Sequence, residues 1–459
     1  MGYRTEHDVL GAVRIDSRMY YGSETERARK NFPVSGIVMY GDFIRSYAAL
    51  KKAAALANIK LGKLDREKGM AIAKASTEVM AGKYCDQFVV DVFQAGAGTS
   101  TNMNLNEVIA NVAIESLHGR KGNYRLVHPN DHVNMSQSTN DTYHCAMRIA
   151  SYKGITGKLL PELKMLQRSL HGKITAFSEV TKIGRTHLQD AVPMTLGEEF
   201  SGYEGIVMHS IKELEHAADA LLELPIGGTA LGTGINAPKG YASEAIRQLN
   251  AITRARFRQS DYIFADMQSE NAELVASNAL KDLAIGLGKI ANDMRLLGSG
   301  PRAGMADITL PAVQPGSSIM PGKINPSMAE MLNMVCFQVM GNSHAIDEAA
   351  NAGQLELNVF MPLIAFNLMF SLRILPNAVH AFNDRLVKGV KANAKELDRH
   401  LEMNISLATA LSPYIGYAKA AQVARIAYKE GKSVKQVCIE KHIMGRKELD
   451  RILDSKRLV

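Results

Sequence analysis

One short segment, "PGSSIMPGKIN" at 315–325, carries two serines, a lysine and two glycines. Serine hydroxyls bind carboxylates, and a serine flanked by a cation and amide dipoles can serve as an alkoxide base. Gly316 and Gly322 supply hinge points, and the segment runs directly into an apolar, helix-like stretch. Asn325-Pro326 reads as the N-cap and first position of that helix. Capping accounts for Asn325 but not for Ser317, Ser318 and Lys323. A lid over an active site accounts for all of them.

Three further polar islands interrupt an otherwise apolar chain. "AGAGTSTNMNLNE" (95–107) holds Thr99, Ser100 and Thr101, followed by Asn104 and Glu107 at capping-box spacing, which predicts a helix starting after the hydroxyls. "HPNDHVNMSQSTNDTYH" (128–144) sets Ser138, Thr139 and Asn140 just before a long helix. That is more polar side chains than a cap needs, and it suits an anion held at a helix N-terminus. His128 and His132 are four apart, but Pro129 and the Asn-Asp step predict a loop and no carboxylate has zinc-motif spacing, so no metal site is expected. "KIGRTHLQDAVPMTLGEEF" (182–200) puts Thr186 and His187 in a short extended run ahead of another helix; a solitary histidine there suits structure as well as chemistry.

The elements that must position these islands read mainly as α-helices. Phe200, Tyr203, Val207, Ile211, Leu214, Ala218 and Leu221 step by three or four, a single apolar stripe that predicts a helix from about 195 to a stop at Pro225. Helices of this length bury their stripes in a bundle shared between subunits. "QFVVDVF" and "TKIGRTH" are the few strand-like runs. The 459 residues predict more than one domain, with boundaries at 1–135, 136–390 and 391–459, the last segment being shorter, charged helices. The net charge of +8 is scattered without a basic run, so neither a nucleic-acid nor a membrane partner is expected. The apolar stretch "VFMPLIAFNLMF" is broken by Pro362 and Asn367 and reads as too short to cross a bilayer. Four dispersed cysteines and a charged N-terminus without a signal-peptide core fit free thiols in a cytoplasmic protein.

Taken together, "GSSIMPGKIN", "AGAGTSTNMNLNEVIAN", "NDHVNMSQSTND" and "GRTHLQDAVPMTLGEEF" resemble, in order, the signature blocks of the fumarase/aspartase superfamily. The similarity runs from "YYGSETERARKNF" to "GKSVKQVCIEKHI". The resemblance implies a mainly α, three-domain fold whose long central helices form a bundle in a homotetramer. Each active site would be assembled from three chains and would act on a small succinyl-type dicarboxylate without a cofactor. "GTSTNMN", "SQSTND", "ITLPAVQPGSS" and "AGQLELNV" resemble the versions that eliminate ammonia from aspartate, whereas His128, His187 and "IGGTALGTGIN" lean toward those that hydrate fumarate.

The resemblance also implies roles. Thr99, Ser138, Thr139 and Ser318 would hold the β-carboxylate, and Thr186, Lys323 and Asn325 the α-carboxylate. Asn140 and His187 would meet the amino group, Glu330 would pair with His187, and Arg27 would lie near the site. Ser317 would be the base, with Lys323 neutralising charge. Members of the superfamily that became structural lens proteins lost activity; here Ser317, Lys323, His187 and Asn140 are all present.

Overall fold

The computed structural model describes residues 2–454. An N-terminal hairpin, β1 (Tyr3–Asp8) and β2 (Gly11–Asp16), precedes α1 (Ser23–Asn31), α2 (Gly41–Lys60), α3 (Arg66–Met80), α4 (Thr99–Ser116), α5 (Thr139–Gly154) and α6 (Leu160–Ala176). A second hairpin, β3 (Thr181–Thr186) and β4 (Gln189–Thr195), leads into α7 (Leu196–Ala220). The short strands β5 (Glu223–Leu224) and β6 (Arg258–Gln259) flank α8 (Tyr241–Thr253), and α9 (Ile263–Gln268) precedes α10 (Asn271–Leu297). After β7 (Ile308–Thr309) come α11 (Ser327–Asn351), α12 (Met361–Arg385) and β8 (Lys391–Ala392). Five short helices close the chain: α13 (Ala394–Met403), α14 (Ser412–Ile415), α15 (Tyr417–Glu430), α16 (Val434–Glu440) and α17 (Arg446–Ile452). The mainly helical expectation holds.

The chain forms two compact units. The first comprises Met1–Pro161, Lys212–Asp282 and Phe337–Leu375; the second comprises Glu162–Ile211, Leu283–Cys336 and Pro376–Val459. In the first, α2 packs against α3, α5 and α8. Ala48, Ala49, Ala53, Ala54 and Ala57 of α2 are fully buried, and their small side chains let neighbouring backbones approach closely. α5 is buried on all sides over most of its length although it carries Asp141, Thr142, His144 and Arg148. Such groups persist in a core only when hydrogen-bonded or paired.

The Phe200–Leu221 stripe is buried as expected apart from half-buried Ile211, and α7 ends at Ala220, shortly before Pro225. "TKIGRTH" forms β3, but "QFVVDVF" forms no ladder beyond one bridge, Val38 to Asp91. Asp91 is the reason: its carboxylate accepts from the N–H groups of Ser35, Gly36 and Phe93 and wraps the segment as a loop. The stretch read as too short to span a bilayer belongs to a longer element. Met361–Gly389 is long and apolar enough by length and composition, with two-thirds (67%) of its most apolar window buried within the chain. In α12, Pro362 falls in the first turn and Asn367 donates to the Leu363 carbonyl at 2.9 Å, so neither residue breaks the helix. Tyr40 stacks on Phe366 and Phe370 of this helix, with centroids 6.0 and 6.2 Å apart. The C-terminal helices have a core of their own around Leu411, Val423, Val437 and Leu449. Cys145, Cys336 and Cys438 are buried free thiols, and Cys85 is exposed.

Candidate active site

In the first unit the hydroxyl groups gather where α4 and α5 begin. Ahead of α4 the chain turns through Ala97 and Gly98 at φ 60° and 83°. A Cβ on Gly98 would lie 2.1 Å from the Tyr143 ring, so only glycine fits. α4 then starts at Thr99, which corrects the capping-box reading: Asn104 and Glu107 lie inside the helix. Asn104 exchanges hydrogen bonds with the Gln87 and Val89 backbone, and Glu107 accepts from the Gly22, Glu24 and Thr25 N–H groups, capping α1 instead. Capping spacing recurs on every helix face, and here tertiary partners claim the side chains. Burial pushes the Glu107 carboxyl up to about 7 against those hydrogen bonds.

Ser138 caps α5, its Oγ accepting from Asn140 N at 3.2 Å while Asp141 accepts from Ser138 N at 2.9 Å. Thr139 Oγ1 accepts from Asn102 Nδ2 at 2.8 Å. Both hydroxyls therefore use a lone pair internally, and among the described residues their own protons are uncommitted and free to donate to an anion. Asn140 Nδ2 donates to Ala230 O at 2.7 Å, and Asp141 accepts from Gly227 N and Thr229 N, both at 3.1 Å. These bonds fix the glycine-rich loop 226–236 to the start of α5. Burial raises the Asp141 carboxyl to about 6. Beneath the turn, fully buried Lys51 donates to Asn134 Oδ1 at 2.9 Å and Gln137 Oε1 at 3.0 Å, and desolvation lowers its ammonium to about 7. Sequence reasoning missed Lys51; its signal was a lysine in the alanine-rich helix "LKKAAALANIK".

In the second unit, Thr186 pairs with Gln189 across a two-residue turn made by His187 and Leu188. Both turn residues take left-handed conformations, φ 56° and 59°, where glycine or asparagine is usual. Such torsions persist where the surroundings enforce them, and they mark candidate functional positions. The hairpin base supplies that enforcement. Buried Asp307 receives Arg185 at 2.6 Å, Lys182 at 3.3 Å and His400 at 3.2 Å, while Ala191 O accepts from Asn404 and Ser406. His187 and Leu188 are left exposed at the tip.

Segment 315–325 is a closed loop, with Gly316 N donating to Lys323 O at 2.8 Å. Asn325 does not cap α11. Its Nδ2 donates to Gly316 O at 2.8 Å, and α11 begins at Ser327 with Pro326 O accepting from Ala329 and Glu330. The side chain closes the loop rather than the helix end. Ser317 Oγ accepts from Ile319 N at 3.2 Å and Met320 N at 2.9 Å, so two amide dipoles converge on the expected base. Ser318 and Lys323 are exposed. Neither the His187 nor the Glu330 side chain has a hydrogen-bonding or ionic partner among the described residues, so the expected pairing between them is not made within the chain.

The remaining candidates lie in the first unit. Arg27 pairs with Asp8 at 2.6 Å, tying α1 to the N-terminal hairpin, and lines a 590 Å³ cleft with Glu24, Ser100, His128 and Asn130. The segment read as a loop around His128 is a wide helical turn, Pro129–Val133. Its imidazoles accept backbone N–H groups, His128 from Asn130 and Asp131, and His132 from His128. Expected site residues thus fall in two clusters: Thr99, Ser138, Thr139, Asn140 and Arg27 in the first unit, and Thr186, His187, Ser317, Ser318, Lys323, Asn325 and Glu330 in the second.

Comparison with known proteins gives this arrangement its family. Residues 11–341 match the lyase family model, and 407–459 match the fumarase C C-terminus. The chain belongs to the fumarase/aspartase superfamily. Among its relatives, a class II fumarate hydratase of Thermosynechococcus vestitus is 47% identical over 98% of this chain and 96% of that protein. An aspartate ammonia-lyase of Helicobacter pylori is 45% identical over 99% and 98%, respectively. A solved fumarate lyase:delta crystallin from Brucella melitensis, bound to cobalt, superposes with TM-score 0.96 at 44% identity, covering 100% of this chain and 99% of that one. The class II fumarase of Schistosoma mansoni gives 0.95 at 36%, covering 99% and 98%. As a superfamily lyase, the chain places its hydroxyl-rich turns and its serine loop in the blocks that carry the resemblance.

Proposed function

We propose that the chain is an aspartate ammonia-lyase that reversibly converts L-aspartate to fumarate and ammonia by anti-elimination. The observation that carries a lyase mechanism is Ser317, whose Oγ receives two backbone N–H groups on a glycine-hinged loop. Those dipoles and the cationic Lys323 lower the energy of a serine alkoxide once the loop closes and water leaves. The alkoxide removes a proton from the β-carbon, and the electron pair moves into the adjacent carboxylate as a doubly charged aci-carboxylate. Collapse of that intermediate forms the carbon–carbon double bond and breaks the C–N bond, releasing ammonia. Thr99, Ser138, Thr139 and Ser318 hold the carboxylate that accumulates charge, and Ser138 and Thr139 have protons to give it. Thr186, Lys323 and Asn325 hold the other carboxylate, and Asn140 and His187 meet the amino group.

The choice of aspartate rests on "GTSTNMN" and "SQSTND". The second reading, hydration of fumarate to L-malate, draws on His128, His187 and "IGGTALGTGIN" and on relatives of that name at similar identity. The same residues would act, with water adding to fumarate, or leaving malate in the reverse direction, in place of ammonia. Incubation with each substrate, following fumarate by ultraviolet absorbance, decides between them. Aspartate should yield fumarate, and malate little or none; faster malate turnover would establish the hydratase.

A homotetramer with sites shared between three chains completes the reading. Met208, Ile285, Met334 and Phe337 are 44, 55, 64 and 59% exposed on the long helices, apolar surface that partner helices would cover. Sharing also lets a neighbouring chain's Glu330 reach His187.

A further inference from the structure

The core of the first unit contains a charged cluster that the elimination does not use. His144 and Arg148 lie one turn apart on α5, facing Glu270 just before α10, Glu273 in its first turn and Asp266 of α9. Each Arg148 nitrogen has a partner: it reaches Glu273 at 2.9 Å, Asp266 at 3.1 Å and the Glu223 carbonyl at 2.8 Å. His144 and Glu270 are not. They are 0 and 1% exposed, and neither imidazole nitrogen and neither carboxylate oxygen has a hydrogen-bond partner. Nδ1 of His144 stands 3.5 Å from Glu270 Oε2, beyond the roughly 2.7–2.9 Å of a charge-assisted hydrogen bond. Four polar atoms at one point in a core thus lack hydrogen-bond partners, and only a 3.5 Å ion pair, formed when the histidine is protonated, offsets their desolvation.

The donor set fits a cation. One ligand atom from each of His144, Glu270 and Glu273 lies within 4.8 Å of the others. Zinc–ligand bonds of about 2.0–2.2 Å separate tetrahedral donors by roughly 3.3–3.6 Å, so the His144–Glu270 spacing already matches and Glu273 would close in slightly. Charge points the same way. Three carboxylates face one guanidinium, which leaves the cluster doubly negative with a neutral imidazole and singly negative with a protonated one. A divalent ion on the neutral imidazole brings it to zero. Arg148, donating to Glu273, would then orient a ligand from outside the coordination sphere.

We propose that His144, Glu270 and Glu273 form a buried structural site for one divalent ion of the zinc type, with water in the fourth position. The ion would tie α5 to the start of α10. It is independent of which substrate the enzyme takes.

The test is metal analysis of the untagged full-length protein, produced with zinc in the medium and desalted extensively. The expected result is about one zinc per chain, falling below about a tenth in the near-isosteric variants His144→Asn and Glu270→Gln. An anomalous-scattering peak from zinc in wild-type crystals should lie between the three side chains, a readout that stands even if the variants fail to fold. Wild-type protein without bound zinc, zinc retained by both variants, or an anomalous peak elsewhere each overturns the proposal. In the first case, the cluster is a protonated histidine paired with Glu270.

Discussion

The turn at the start of α5 and the loop at 315–325 carry the two halves of the proposed chemistry, and they are built in opposite ways. The α5 turn is held by groups distant in sequence: Asn102 on Thr139, Ala230 on Asn140, Gly227 and Thr229 on Asp141, and Lys51 beneath. In the loop, by contrast, the hydrogen bonds among the described residues join members of the loop itself, apart from a long one of 3.5 Å from Ser327 Oγ to the Asn325 carbonyl at its end. Movement of the loop as a body would strain only that terminal bond. In the proposed mechanism, carboxylate binding would rest on rigid, preorganised backbone and the base on a locally closed loop.

The largest effect should come from the loop. Ser317→Ala should stay folded and bind a dicarboxylate inhibitor nearly as wild type, with turnover falling by ~10²–10⁴-fold. Exchange of the substrate β-proton with deuterated solvent should be lost as well. Retention of more than about a tenth of turnover would reduce Ser317 to a turn-capping residue and break the division of labour.

Two glycines sharpen the contrast next. Gly98 and Gly322 have nearly the same torsion, φ 83° and 80°, but a Cβ at Gly98 meets the Tyr143 ring whereas one at Gly322 meets nothing within 4 Å. Gly322→Ala should cost about 1–2 kcal/mol at most, and Gly98→Ala about 3–5 kcal/mol, as read from chemical denaturation. Equal losses would mean that the α5 side is no more tightly packed than the loop.

The last test concerns Lys51 and is read as a slope against pH. Its ammonium is lowered to about 7 in the fold, while the unfolded side chain keeps its ordinary value of 10.5. Between those values the unfolded chain holds a proton that the folded chain has released, so stability should rise with pH across that window and gain nothing from Lys51 below it. The slope from this residue is at most about 1.4 kcal/mol per pH unit, and it should disappear in Lys51→Met. A neutral amine still donates to Asn134 and Gln137, so the turn should keep its shape throughout.

The same contrast explains what could be read from the sequence. The stripe of α7, strand β3 and the polar islands were legible because local periodicity and composition encode them. Asn104, Glu107 and Asn325 were misassigned because each has the spacing or neighbours of a cap, while its partner lies in a distant loop or across a closed turn. Lys51 and His144 left no local signal beyond polar residues on otherwise apolar helices, and Glu270 none beyond a carboxylate just before one; what they face is set by packing. The left-handed His187-Leu188 turn could not be anticipated from residue types that disfavour it.

The discontinuity of the first unit bears on how the protein is made. Its N-terminal helices cannot finish packing until α12 arrives, because Tyr40 waits for Phe366 and Phe370, and Gly96 for Val359. At about 5–20 residues per second, a ribosome needs roughly 20–75 s to reach residue 375. Throughout that interval Tyr40 lacks its aromatic partners, and the most apolar long helix, Met361–Gly389, emerges after most of the first unit. Completion of the first unit's packing is therefore deferred to the last fifth of synthesis rather than achieved helix by helix.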